Sequence, residues 1–182
     1  MALILQNHAD RIADNFRVLR WQQFVRVLRA IENETGFRPI SGRRRLGGSA
    51  DRALRAYQFV IFTFFWAEHP YFPKEDFREF AGHLINAITG PDERRVQAYF
   101  REFVAYQERA TRERTEEAQA ELFRRLSIPI ADYIVPEPNL ITWAIAARLM
   151  PVFTTHTQMV IAKEFGDHAT LRALQSQMET NQ

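Results

Sequence analysis

Apolar residues recur along most of this chain at intervals of three and four, the spacing that gathers them on one face of an α-helix. The first such segment covers about residues 8–34, where Ile12, Phe16 and Leu19, then Val18, Trp21, Val25, Leu28 and Ile31 mark the stripe. Asn7 is placed to cap it, with Asp10 set as in a capping box, and Gly36 and Pro39 supply the stop. Arg11, Arg17, Arg20, Arg26 and Arg29 fall mostly off the stripe and read as a solvated face.

Residues 53–72, ALRAYQFVIFTFFWAEHPYF, lose the polar face almost entirely and hold five of the fifteen phenylalanines. A helix apolar all round is a buried helix. The pattern therefore predicts a central helix over about 50–68, ended at His69-Pro70 because the residue before a proline is pushed out of the α region. A third helix starts near Pro73, with Glu75 and Asp76 in its first turn and Phe77, Phe80, Leu84, Ile85 and Ile88 as its stripe; Thr89-Gly90-Pro91 ends it.

The fourth helix is predicted over about 91–126, with Val96, Tyr99, Phe100, Phe103 and Val104 facing the core in its first half. From Gln107 to Glu121 the seam vanishes, because alanine is the only apolar residue there. This stretch either projects on i,i+4 ion pairs such as Arg109/Glu113 and Arg112/Glu116, or breaks near Thr111–Thr115, or lies against a partner. The run 127–139 is too rich in proline for a long helix, with one short turn expected at 129–134. Asn139 caps a fifth helix that Pro151 kinks or ends. A sixth follows over about 152–165, and Asp167 caps a last short helix through about 178. The expectation is an all-α fold: one domain over 1–182, six to seven helices in an irregular bundle around the aromatic helix at about 50–68.

Composition changes this picture little. A hydrophobic fraction of 46% and a charged fraction of 25% are those of a globular chain. With no cysteine, thiolate chemistry, disulfides and Cys-based metal sites are excluded. The N-terminus lacks a basic n-region and a long apolar core. The longest apolar run, Phe59–Ala67 interrupted only by Thr63, is half the roughly 20 residues a bilayer span needs. A soluble, cytoplasmic protein without a membrane span is expected.

Net charge is only +2, but it is unevenly spread, and 22 of the 24 basic residues are arginine. Residues 37–50, FRPISGRRRLGGSA, form a loop punctuated by Pro39, Gly42, Gly47 and Gly48, with Ser49 as N-cap of the following helix. Arg38, Arg43, Arg44, Arg45, Arg52 and Arg55 face one acid, Asp51, within this window. Guanidinium forks beside a helix N-terminus make an anion or phosphate site. The patch is small for duplex binding, which uses roughly 6–10 phosphate contacts.

Other constellations carry less. Glu79/His83 and Glu164/His168 have the i,i+4 spacing of helical metal ligands, but chance supplies about two such pairs in a chain of this composition. Arg78 and His83 have the Arg-x4-His spacing of the HEPN ribonucleases, helical enzymes that cleave RNA by general acid–base chemistry; the chain resembles that family over these six residues only. His156 on an apolar helix would be an axial ligand if a haem or another planar cofactor lay between that helix and the aromatic one; the plain reading is a core histidine satisfied by threonines. Glu68 and His69 close the aromatic helix, and Glu68 would have a raised pKa if buried. There is no nucleophile elbow and no phosphate-binding P-loop.

No catalytic, metal or cofactor site is therefore expected. The functional expectation is a non-enzymatic interaction or assembly subunit that binds a protein partner or itself. Nucleic-acid or phosphate binding through the arginine loop is the first alternative, and a cofactor-binding enzyme or sensor the second.

Overall fold

The computed structural model describes residues 2–66 and 74–180. They form α1 (Ala2–Thr35), α2 (Gly48–Trp66), α3 (Lys74–Thr89), α4 (Glu93–Glu113), α5 (Glu116–Ile134), α6 (Leu140–Arg148), α7 (Met150–Glu164) and α8 (His168–Thr180), with no strand among the described residues. The fold is all-α, as the periodicity predicts. The aromatic α2 is its centre, packing against α1, α3, α4, α5 and α7.

Several helix ends follow the sequence signals. Asn139 accepts hydrogen bonds from the backbone N–H groups of Ile141 and Thr142 at 3.0 and 3.1 Å, and Thr142 Oγ1 accepts from the Asn139 N–H at 3.0 Å, a closed capping box. Asp167 Oδ1 accepts from the Thr170 N–H at 3.0 Å and caps α8. Two other caps fail. The first helix begins at Ala2, so Asn7 is an exposed residue inside it. Ser49 donates its hydroxyl to the Pro129 carbonyl at 3.0 Å, tying the start of α2 to α5 instead of capping α2.

The weakly apolar stretch 107–121 is broken rather than continuous. Arg114 takes a left-handed conformation with φ 53°, and its N–H reaches the Ala110 carbonyl at 3.0 Å. Thr115 then accepts from the Ala118 N–H at 3.2 Å and starts α5. Two helices joined by so short a turn make an αα-hairpin, and Ala110 and Ala118 are its buried contact residues. Small side chains let the tip close, which is why the apolar seam shrinks to alanine there. Arg109 pairs with Glu113 at 3.0 Å, as expected. The expected Arg112/Glu116 pair does not form, because the break puts its members on different helices; Arg112 lies 3.9 Å from Glu113 instead.

Residues 129–134 do not make an isolated turn. They continue α5 through Pro129, because Leu126, Ile130, Ala131 and Ile134 are all buried and packing outweighs the proline's local cost.

The core divides into two clusters. One gathers the C-terminal half of α1 (Phe24, Val27, Ile31), the first half of α2 and the inner faces of α4–α6. The other gathers Ile12 and Phe16 of α1, Phe62 and Trp66 of α2, Phe80 and Leu84 of α3, and Ile161 of α7.

Between the clusters lies a buried polar layer. Arg20, only 4% exposed, donates to Asp51 at 3.0 Å and to Gln58 Oε1 at 2.9 Å, and the Gln58 amide donates to the Phe16 carbonyl at 3.1 Å. Burial, partly offset by Asp51, brings the Arg20 pKa down to about 10. Arg20 is thus no solvated side chain, in contrast to the expectation for its series. Its neighbours on the wheel are Phe16 and Phe24, whereas Val18 and Trp21, expected in the stripe, are 53% and 57% exposed.

Gly48 shows how tightly the loop into α2 is set. Its φ is +54°, and a Cβ there would lie 2.8 Å from the Tyr133 ring. The Tyr133 hydroxyl in turn donates to the Arg45 carbonyl at 3.1 Å. Left-handed backbone and steric overlap together make Gly48→Ala cost roughly 2–3 kcal/mol. Urea denaturation will show this loss beside Gly42→Ala, where a Cβ meets open space and the cost stays below about 1 kcal/mol.

Candidate functional site

The arginine window resolves into two groups. Three of its members hold the fold together. Arg44 pairs with Glu32 at 2.8 Å and donates to the Pro39 carbonyl at 3.2 Å. Arg55 pairs with Asp51 at 2.6 Å and donates to the Ile88 and Thr89 carbonyls, both at 3.1 Å, satisfying the C-terminus of α3. Arg52 leans toward Asp92 at 3.7 Å. The other three, Arg38, Arg43 and Arg45, make no ion pair with the described residues. Arg38 and Arg45 are exposed, while Arg43 is half-buried with its Nη1 enclosed and without a hydrogen-bond partner. The clustering visible in sequence therefore overstates the free positive charge of the loop.

A second region draws on residues far apart in the chain. α1 and α8 both pack on α7 but scarcely touch each other. The groove between them has two adjoining parts of about 550 Å³ and about 420 Å³, which meet at Arg26 and His156. Leu19, Met159, Val160 and Leu171 line the larger part with apolar carbon, and Arg26 and Lys163 stand in it as exposed cations. Arg148 joins the smaller part and is paired with Glu34. Among the described residues no Asp or Glu lines either part.

His156 sits where the two parts join. Arg26 Nη1 lies 3.4 Å from His156 Nδ1, and since a guanidinium only donates, this contact suits an unprotonated Nδ1. Burial first, and the Arg26 charge second, hold the His156 pKa below the usual imidazole range. The groove is thus cationic through arginine and lysine, with a neutral imidazole at its middle.

This placement separates His156 from the aromatic helix. It is Thr154, not His156, that α7 turns toward α2, where the Tyr57 hydroxyl meets Thr154 Oγ1 at 3.0 Å. A planar cofactor between α2 and His156 has no place in this arrangement, since the imidazole lines the groove on the α1 side.

The remaining histidines are dispersed. His83 lies 3.6 Å from Glu79, but Glu164 turns away from His168 and takes His8 at 2.6 Å and Arg11 at 2.7 Å. Among the described residues no group of three or more His, Asp or Glu side chains is arranged to hold a metal ion. Arg78 is exposed at the start of α3, and His83 is half-buried with its contact to Glu79. Glu68 and His69 lie outside the described residues. No helix among the described residues is long and apolar enough to cross a membrane.

The groove was missed in sequence because its walls come from α1, α7 and α8. One signal was present: His156 interrupts the largely apolar run of α7. The sequence matches no protein-family model, and comparison with curated proteins and with solved structures finds no similar protein.

Proposed function

We propose that the protein is a non-enzymatic helical interaction subunit whose groove between α1 and α8 receives an acidic amphipathic helix of a partner protein. The observation that carries this reading is the pairing of an apolar floor with unopposed cations. Leu19, Met159, Val160 and Leu171 offer the carbon surface, and Arg26 and Lys163 offer charge that no lining carboxylate neutralises. A helix laid in such a groove buries one face and leaves its acids toward the rim, the helix-in-groove mode of recognition. The partner helix would complete a four-helix arrangement with α1, α7 and α8.

The test uses defined probes. A labelled synthetic helix of leucine, alanine and glutamate is titrated with the protein and followed by anisotropy, beside the same helix with lysine for glutamate. The acidic helix binds and the basic one does not; Arg26→Glu with Lys163→Glu weakens binding by about ten- to a hundredfold, since each reversal replaces attraction with repulsion. Equal binding of the two helices, or an unchanged double variant, overturns the reading.

A second reading rests on the unpaired Arg38, Arg43 and Arg45: contact with phosphates of nucleic acid. In the same assay a labelled single-stranded oligonucleotide distinguishes it. Binding that falls steeply with salt and is lost in Arg43→Ala/Arg45→Ala, but not in the groove variant, selects this reading over the first.

A further inference from the structure

A cleft of about 270 Å³ opens where the tip of the α4–α5 hairpin meets α2 and α7. It is separate from the groove. Thr154 and Gln158 line the cleft from one side of α7, while His156, Met159 and Lys163 line the groove from the opposite side.

Its composition is unusual for this arginine-rich chain, because among the described residues none that lines it carries a charge. Ile61, Phe64 and Phe65 supply apolar carbon, and the amides of Gln107, Gln119 and Gln158 with the Thr111 hydroxyl supply the polar edge. Phe64 is 38% exposed, on a helix where Phe62 and Trp66 are fully buried. Its place on the cleft wall gives that exposed ring a use.

Part of the polar edge is already engaged. Tyr57 meets Thr154, which donates to the Met150 carbonyl at 3.0 Å, and the Gln107 amide donates to Thr111 Oγ1 at 3.3 Å. The side-chain amides of Gln119 and Gln158 make no hydrogen bond with the described residues, so each offers both a donor and an acceptor.

A charged ligand would lose hydration here without meeting a counter-charge. An uncharged ligand with donors and acceptors side by side would find partners for both. A volume of about 270 Å³ lies just below the roughly 300–1,000 Å³ of drug-sized ligand sites, so only a small ligand fits. We propose that this cleft binds a small uncharged ring compound with adjacent hydrogen-bond donors and acceptors, the chemistry shared by nucleosides and monosaccharides. Such a ligand bridges both helices of the hairpin tip to α2 and α7, so binding slows backbone exchange at residues 107–119.

Saturation-transfer NMR and hydrogen exchange on the full chain test this with four probes: adenosine, glucose, and their monophosphates. One uncharged probe binds, its phosphorylated counterpart binds at least tenfold more weakly, and bound probe protects residues 107–119. The adenosine and glucose arms identify which ring source fits. Gln119→Ala with Gln158→Ala weakens binding tenfold or more while the thermal midpoint stays near that of the parent; Phe64→Ala does the same. The proposal is overturned if no uncharged probe binds at millimolar concentration, if the phosphorylated probes bind equally well, or if the glutamine variant binds as the parent does.

Discussion

Asp51→Ala lowers the unfolding free energy by about 3–5 kcal/mol, because it leaves the Arg20 guanidinium buried without its counter-charge. Arg20 is only 4% exposed, and Asp51 is the one carboxylate paired with it among the described residues. Gln58 remains as a neutral acceptor at 2.9 Å, which satisfies one N–H but not the charge. Arg55, the other partner of Asp51, keeps its bonds to the Ile88 and Thr89 carbonyls, so its share of the loss is small.

The pH dependence carries the sign of the effect. Arg20 already has a pKa depressed to about 10 in the folded chain, so above about pH 10 the unfolded chain binds more protons, and this group's contribution to stability rises with pH there. Removing Asp51 depresses that pKa further and moves the rise to lower pH. Guanidinium denaturation at several pH values will show the variant recovering stability as pH approaches 10. Adding Arg20→Met removes the stranded charge, so the double variant is more stable than Asp51→Ala alone. A double variant less stable than the single one contradicts this account.

Phe62→Ala costs about 3–5 kcal/mol, while Phe64→Ala, two residues along the same aromatic helix, costs less than about 1. Phe62 is fully buried and has ring neighbours on three sides: Phe59 at 6.1 Å, Phe77 at 5.3 Å and Phe80 at 5.5 Å. Its removal leaves a cavity among large rings that cannot close in. The Phe77 ring lies nearly parallel to it, at 5°, an offset-stacked contact worth about 0.5–1.5 kcal/mol beyond burial. Phe64 already faces solvent over more than a third of its surface. Urea midpoints of the two variants give the comparison directly, and equal losses would mean that the helix is packed differently around its axis.

That contrast also shows how far the sequence could be read. The run at 53–66 announces a central helix, because nearly every position is apolar. It cannot say which ring turns outward, since a helix without a polar face has no internal reference for its rotation. The caps at Asn139 and Asp167 were legible because their partners lie within three residues. Arg20 was not: its membership of the core depends on Asp51 and Gln58, which are brought to it by the turn between α1 and α2. The hint was Gln58 itself, a polar side chain in the middle of an apolar helix, which needs a buried partner.

The arginine loop was legible as composition, but which of its charges are free was not. Counting charges along the chain assigned six cations to one patch, yet Arg44, Arg52 and Arg55 reach back to Glu32, Asp92 and Asp51. Local density of charge does not reveal which side chains fold inward. The groove has the opposite character. Arg26 and Lys163 are unremarkable in sequence, and only the packing of α1 and α8 on α7 sets them along one apolar floor.

The polar layer between the two core clusters has a kinetic meaning. Dispersion and burial act mostly within each cluster, whereas the α1–α2 level between them is held by a few directional bonds among Arg20, Asp51 and Gln58, with the Phe59–Phe100 ring contact bridging the clusters on the α4 side. α3 contributes its core residues only to the second cluster, and Leu171 of α8 packs there too. The second cluster, built from α3, the N-terminal turns of α1 and the C-terminal ends of α2 and α7, can therefore open while the α4–α5 side stays intact. Such a chain unfolds in instalments, and its amide protons should exchange in two classes divided at the level of Arg20.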